Sequence, residues 1–171
     1  MKRFLRDLSA ATASLTVLVL MESFTGITLE SLKHRWMHHP EFLAMLPALM
    51  DFRGNVALAH SARTATATHL GDEEKTLQSS LAVLLVGLMV PPVIGLVVYY
   101  AYGGDLSTLI GAAFLTVLSV TAVVTPVTVG IVRVAAMLGF DPDHVAPPLT
   151  TALSDVLTVV LLFTIAEVMV G

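Results

Sequence analysis

Apolar positions gather into five long blocks separated by short polar connections. The blocks cover about residues 8–32, 41–70, 76–102, 106–138 and 145–170. A bilayer core about 30 Å thick takes about 20 apolar residues in a helix, and each block meets that length. The pattern predicts five transmembrane helices forming one all-α membrane domain over residues 1–171. The second block is the least apolar. The third and fourth are the clearest: no Lys, Arg, Asp or Glu lies between Lys75 and Asp105, or between Asp105 and Arg133. The connections are "HRWMHHPE", "GDEEK", "YGGD" and "GFDPDH". Gly71 and Gly139 stand where helix C-caps belong, and Asp141 before Pro142 marks a turn.

Composition sharpens the membrane reading. The chain is 56% hydrophobic and 13% charged over 171 residues, with a mean hydropathy of +0.84. A soluble domain carries about 25% charged residues, so a fold this small has too little interior to hide the apolar surface. The net charge of -4 offers no basic face to nucleic acid. Cysteine is absent, which excludes disulfides and thiolate metal sites. The N-terminal "MKRFLRDLSAATASLTVLVLM" imitates a secretory signal. Its apolar stretch continues past Glu22 to Leu32 without a small-x-small cleavage site, so a retained first span is expected.

Five spans put the two ends on opposite sides. With the N-terminus inside, the inner segments hold Lys2, Arg3, Arg6, Arg63, Lys75 and Arg133, against Lys33 and Arg35 outside. The positive-inside rule then favours a cytoplasmic N-terminus and an outer C-terminus; residence in the cell membrane is expected.

Charged and polar residues within the spans carry the chemistry. Asp155 lies roughly 15 Å along the last block from Val145, near the bilayer midplane. A lipid-facing carboxylate there costs about 3 kcal/mol, so it should face a bundle interior or a water-filled path. Thr151, Ser154, Asp155 and Thr158 share one helical stripe. No basic residue on that helix neutralises Asp155; the bland alternative is a packing role. In the second block, Asp51, Asn55, Ala59, Ala62 and Thr66 form one small and polar face, suited to a pore-lining or tightly packed helix. Arg53 and Arg63 are as consistent with snorkelling to the interface as with facing the interior. Glu22 is a second carboxylate within a span. Pro91-Pro92 and Pro126 read first as kinks and second as sources of free carbonyls. His34, His38 and His39 have spacing open to a soft metal, although loop histidines are usually surface residues. No nucleophile elbow, phosphate loop or zinc-protease motif occurs, and the chain is not read as an enzyme.

The donors within the spans are oxygens, which match hard cations. Magnesium keeps several waters, so one or two carboxylates can hold its hydrated form. One aspartate per chain is too few for a cage. Two copies across a two-fold axis give a pair. The expected ion-site residues are Asp155, Asn55, Ser154, Thr151 and Asp51.

At these residues the chain resembles the membrane domain of the MgtE-type magnesium channels and their eukaryotic solute-carrier relatives. The last helix of that family follows a Gly-x-Asp-Pro loop and carries a Pro-Leu-x-x-x-x-x-Asp pattern, matched by Asp141, Pro142, Pro148, Leu149, Ser154 and Asp155. The second helix is marked by a glycine-asparagine pair, here Gly54-Asn55, followed by small residues and an arginine. The resemblance implies a homodimer in membrane lipid, with a pore on the two-fold axis lined by the second and fifth helices. It implies transport of divalent cations, magnesium preferred, with Asp155 facing the ion and Asn55 on the pore side. Mg2+ is then cargo. Arg53 stands where bacterial members usually carry another glycine, which is closer to the solute-carrier branch. Pro147 replaces a polar residue near the inner mouth. The cytoplasmic sensor domains have no counterpart here, so gating is expected within the membrane, from a regulatory partner, or not at all. A sodium- or proton-coupled exchanger and a non-conducting membrane scaffold are the alternative functions.

Overall fold

The computed structural model describes residues 2–170, with side chains from Leu5 onward. Among the described residues there are six α-helices: α1 (Lys2–Trp36), α2 (Pro40–Leu70), α3 (Glu73–Met89), α4 (Pro91–Tyr102), α5 (Leu106–Met137) and α6 (Pro142–Val170). Together they supply five helical segments long and apolar enough to cross a membrane. The expected third span, 76–102, is the apolar segment Glu73–Tyr102, in which the helix is interrupted at Val90 to give α3 and α4. Pro91 has no N–H to continue the ladder, and Pro92 adds a second missing donor. Both instead open α4, where a first turn needs no such donors. The first helix extends beyond the expected 8–32 at both ends. His34 therefore belongs to its last turn, not to a loop.

The ends of the helices follow local chemistry. Gly71 takes φ 67°, a left-handed conformation costly for side chains with a Cβ, and closes α2. Asp72 then caps α3 by accepting from the Lys75 N–H at 3.1 Å. Asp105 caps α5 through the Thr108 N–H at 2.7 Å. Hydrogen bonding to the Lys75 side chain and backbone holds the Asp72 carboxyl below its ordinary range. The Ser107 and Thr108 hydrogen bonds do the same for Asp105.

α6 is the central helix, packed against α1, α2 and α5. α3 and α4 lie on α2 and α5. Near the α1–α2 connection, Trp36 meets Phe42 and Phe163 with ring centroids 5.5 and 5.4 Å apart. Met45, Leu49, Leu109, Val117 and Leu162 continue this core. On α1, Leu15, Val19, Leu20, Phe24 and Ile27 stay exposed. Such a face is stable against lipid chains, where no apolar surface meets water.

Candidate functional site

The site forms where α2 crosses α6. Gly54 makes the crossing close: a Cβ there would stand 3.4 Å from Thr151 Cγ2 and 3.9 Å from Asp155 Oδ1. Small residues serve this purpose in membrane helices, whose association depends on packing. Asp155 is half-buried behind this crossing, and its Oδ1 is buried without a hydrogen-bond partner. Of its charged neighbours, Glu22 on α1 acts on it most strongly, followed by Arg53 and Asp51 on α2. Two carboxyl groups and one guanidinium from two other helices thus act on Asp155.

The expected site residues divide into three settings. Asp51 and Asn55 are exposed on the open face of α2. Asn55 Nδ2 donates to the Asp51 carbonyl at 2.9 Å and to Asp51 Oδ1 at 3.1 Å, which holds both side chains along one line. Asp155 and Thr151 are half-buried next to Gly54. Ser154 is fully buried and its hydroxyl is without a partner. Thr158, on the same stripe, is buried and donates to the Ser154 carbonyl at 2.7 Å. The stripe therefore has a half-open edge at Thr151 and Asp155 and a closed edge at Ser154 and Thr158.

Ala59, Ala62 and Thr66 continue the exposed face below Asn55. Beside it, a groove between α2 and α3 is lined by Asp51, Asn55, Ala59, Arg63 and Ser79. His60 closes its wall from within the protein, with Nδ1 3.0 Å from Ser79 Oγ.

Two residues take roles that spacing does not give. Arg53 does not snorkel: it is 1% exposed, and its Nε and Nη1 lack hydrogen-bond partners. Its neighbour Gly54 draws α2 against α6 and encloses the side chain, leaving Asp155 as its electrostatic counterpart. Glu22 is drawn into the same group by the packing of α1 on α6. A carboxylate at mid-span was its visible signal. Among the described residues, His34, His38 and His39 do not form a converging metal-ligand group; His39 Nδ1 pairs instead with Glu41 Oε1 at 3.1 Å.

Oxygen-bearing side chains of Asp51, Asn55, Thr151 and Asp155 thus stand beside an exposed face of one candidate span. The MgtE family model, described as a divalent cation transporter, matches residues 46–165, from within α2 almost to the end of α6. The chain belongs to this family and is an integral multi-pass membrane protein. No solved structure matches it.

Proposed function

We propose that two copies of this chain meet across a two-fold axis and pass hydrated divalent cations, magnesium preferred, between their α2 and α6 helices. The observation that carries this reading is the exposed polar face of Asp51, Asn55, Ala59, Ala62 and Thr66 on a span. Polar groups at membrane depth need protein or water beside them, not lipid. A second copy with the same face supplies both: small residues for contact and oxygen donors for a water-filled path. Asp155, behind Gly54, gives one carboxylate from each copy to a hydrated ion. Asn55 and Thr151 offer neutral oxygens to its waters, and Asp51 adds charge at the approach. Ser154 supports α6 from the buried side. The N-terminus lies in the cytoplasm of a cell-membrane protein, and the C-terminus outside.

The absence of cysteine gives a direct test of the dimer. Ala59→Cys or Ala62→Cys should trap a dimer in membranes treated with a short bifunctional thiol reagent. Val123→Cys, on an exposed face of α5, should not. Cross-linking at Val123 alone would place the contact on another face. Transport itself is tested by magnesium uptake into proteoliposomes containing the purified chain, with and without a sodium or proton gradient. Uptake without either gradient supports a channel; dependence on one supports the coupled exchanger.

Arg53 makes a separate prediction. It is the fixed cation of a carboxylate group that a mobile cation can also neutralise. Arg53→Gln should therefore lower stability when divalent ions are chelated. Added Mg2+ should recover more of the melting temperature in the variant than it adds to wild type. An equal Mg2+ effect in both proteins would separate Arg53 from the ion site.

A further inference from the structure

We infer that the end of the bundle away from Trp36 carries a second metal site, for a first-row transition dication, built from His69, Asp141 and Asp143. One ligand atom from each of these residues lies within 4.8 Å of the others. His69 is in the last turn of α2, Asp141 immediately precedes α6, and Asp143 is in its first turn. The donors thus come from two elements far apart in sequence. His69 Nε2 stands 3.8 Å from Asp141 Oδ1, beyond hydrogen-bond distance. Two ligands of one tetrahedral ion are about 3.4 Å apart when its bonds are about 2.1 Å long. Closing the gap takes only small side-chain rotations, because His69 and Asp143 are exposed at helix ends.

Two carboxylates converge with no hydrogen bond between the three side chains among the described residues. The basic group beside this loop is Arg6, which lies 6.0 Å from the Phe140 ring centroid and 3.5 Å from where a Cβ of Gly139 would stand; Arg133 pairs with Glu73 at 3.2 Å and Lys75 with Asp72 at 2.9 Å. The Asp143 N–H donates to Asp141 Oδ1 at 3.1 Å and fixes that carboxylate at the head of α6. A fourth donor stands close by, with His144 Nδ1 3.5 Å from Asp141 Oδ2.

Donor chemistry separates this site from the one at Asp155. Imidazole with carboxylates favours zinc, cobalt or manganese, whereas an all-oxygen set suits magnesium. Asp141 is also roughly 20 Å from Asp155 along the helix. An ion held here ties the end of α2 to the start of α6, the two helices that cross at Gly54. The inference does not depend on Asp155 binding the transported ion.

The test uses the full chain in detergent with Asp155→Asn as background, so that the α2–α6 crossing contributes no carboxylate from that position. Zn2+ binding is measured by calorimetry, and Co2+ binding by its visible absorption. One ion per chain is expected, with an absorption spectrum showing nitrogen coordination. His69→Ala and Asp143→Asn should each weaken Zn2+ binding at least about tenfold, since even lost outer-shell partners weaken metal sites 10–100-fold. Neither residue caps a helix through its side chain in this structure, so both variants should fold. Unchanged affinity in both variants, or no saturable Zn2+ binding, would overturn the inference. Binding lost only on replacing His34 and His38 would also overturn it, by moving the site to the opposite end.

Discussion

Asp155→Asn is expected to reduce magnesium uptake by at least about a hundredfold at ion concentrations below saturation. The exchange keeps the shape and most of the hydrogen-bonding capacity of the side chain while removing its charge. In the proposed two-fold assembly it would remove one carboxylate of each copy from the proposed ion path. A hydrogen bond to a charged group contributes roughly 1.5–3 kcal/mol, so losing two corresponds to at least about a hundredfold in affinity. Packing should survive, because Gly54 and Thr151 still meet at the crossing and the introduced amide fills the same space as the carboxylate. Folding is checked by the melting temperature in detergent, and uptake by a magnesium-sensitive dye trapped in proteoliposomes. Asp155→Glu, which retains the charge on a longer arm, should keep more activity than Asp155→Asn. Uptake equal to wild type in a well-folded Asp155→Asn protein would return the residue to a packing role and favour the scaffold reading. A loss confined to high external sodium or to one pH gradient would favour the exchanger.

The parts of this architecture that were legible in the sequence are those fixed by the membrane. Span number follows from apolar length, because every backbone polar group in lipid must be bonded within its own helix. Asp155 stood out for the same reason, as a carboxylate in an apolar run. The break at Val90 was harder to see. Two prolines remove two donors, but whether a helix bends or restarts depends on what packs beside it, here α5 against α4. α1 runs past its apolar block because hydropathy marks the edge of the membrane and not the end of the helix. Arg53 stayed open in the sequence because of its length: a long cationic side chain can reach water unless the neighbouring helix encloses it, and Gly54 permits that enclosure. The grouping of Glu22 with Asp155, and of His69 with Asp141, links residues far apart in the sequence. Periodicity within a helix carries no information about such partners.

Gly95→Val should be among the most destabilising single substitutions in the molecule. Gly95 is buried in α4, where that helix lies on the first turns of α5. A Cβ at this position would stand 2.8 Å from Ile110 Cα, 2.9 Å from Ile110 N and 3.0 Å from Leu109 C. All three are backbone atoms of a capped helix and cannot move aside as a side-chain tip can. Either α4 shifts away from α5 or the added atoms distort both helices. Overpacking typically costs 1–3 kcal/mol, and contact with backbone puts this case at or above about 3 kcal/mol. Gly95→Ala should already lower stability, since the first carbon makes the clash, and the Val branches add to it. Gly130→Ala is the matched control: it lies in α5 with nothing within 4 Å of the added carbon. Alanine favours helix over glycine by roughly 0.5–1 kcal/mol, so that variant should be at least as stable as wild type. Thermal unfolding of the three purified proteins in one detergent reads the difference. If Gly95→Ala melts with Gly130→Ala, α4 and α5 are not held as closely as the backbone separation requires. If Gly95→Ala alone falls, the close contact is what anchors the second half of the broken span after Val90 has interrupted its helix.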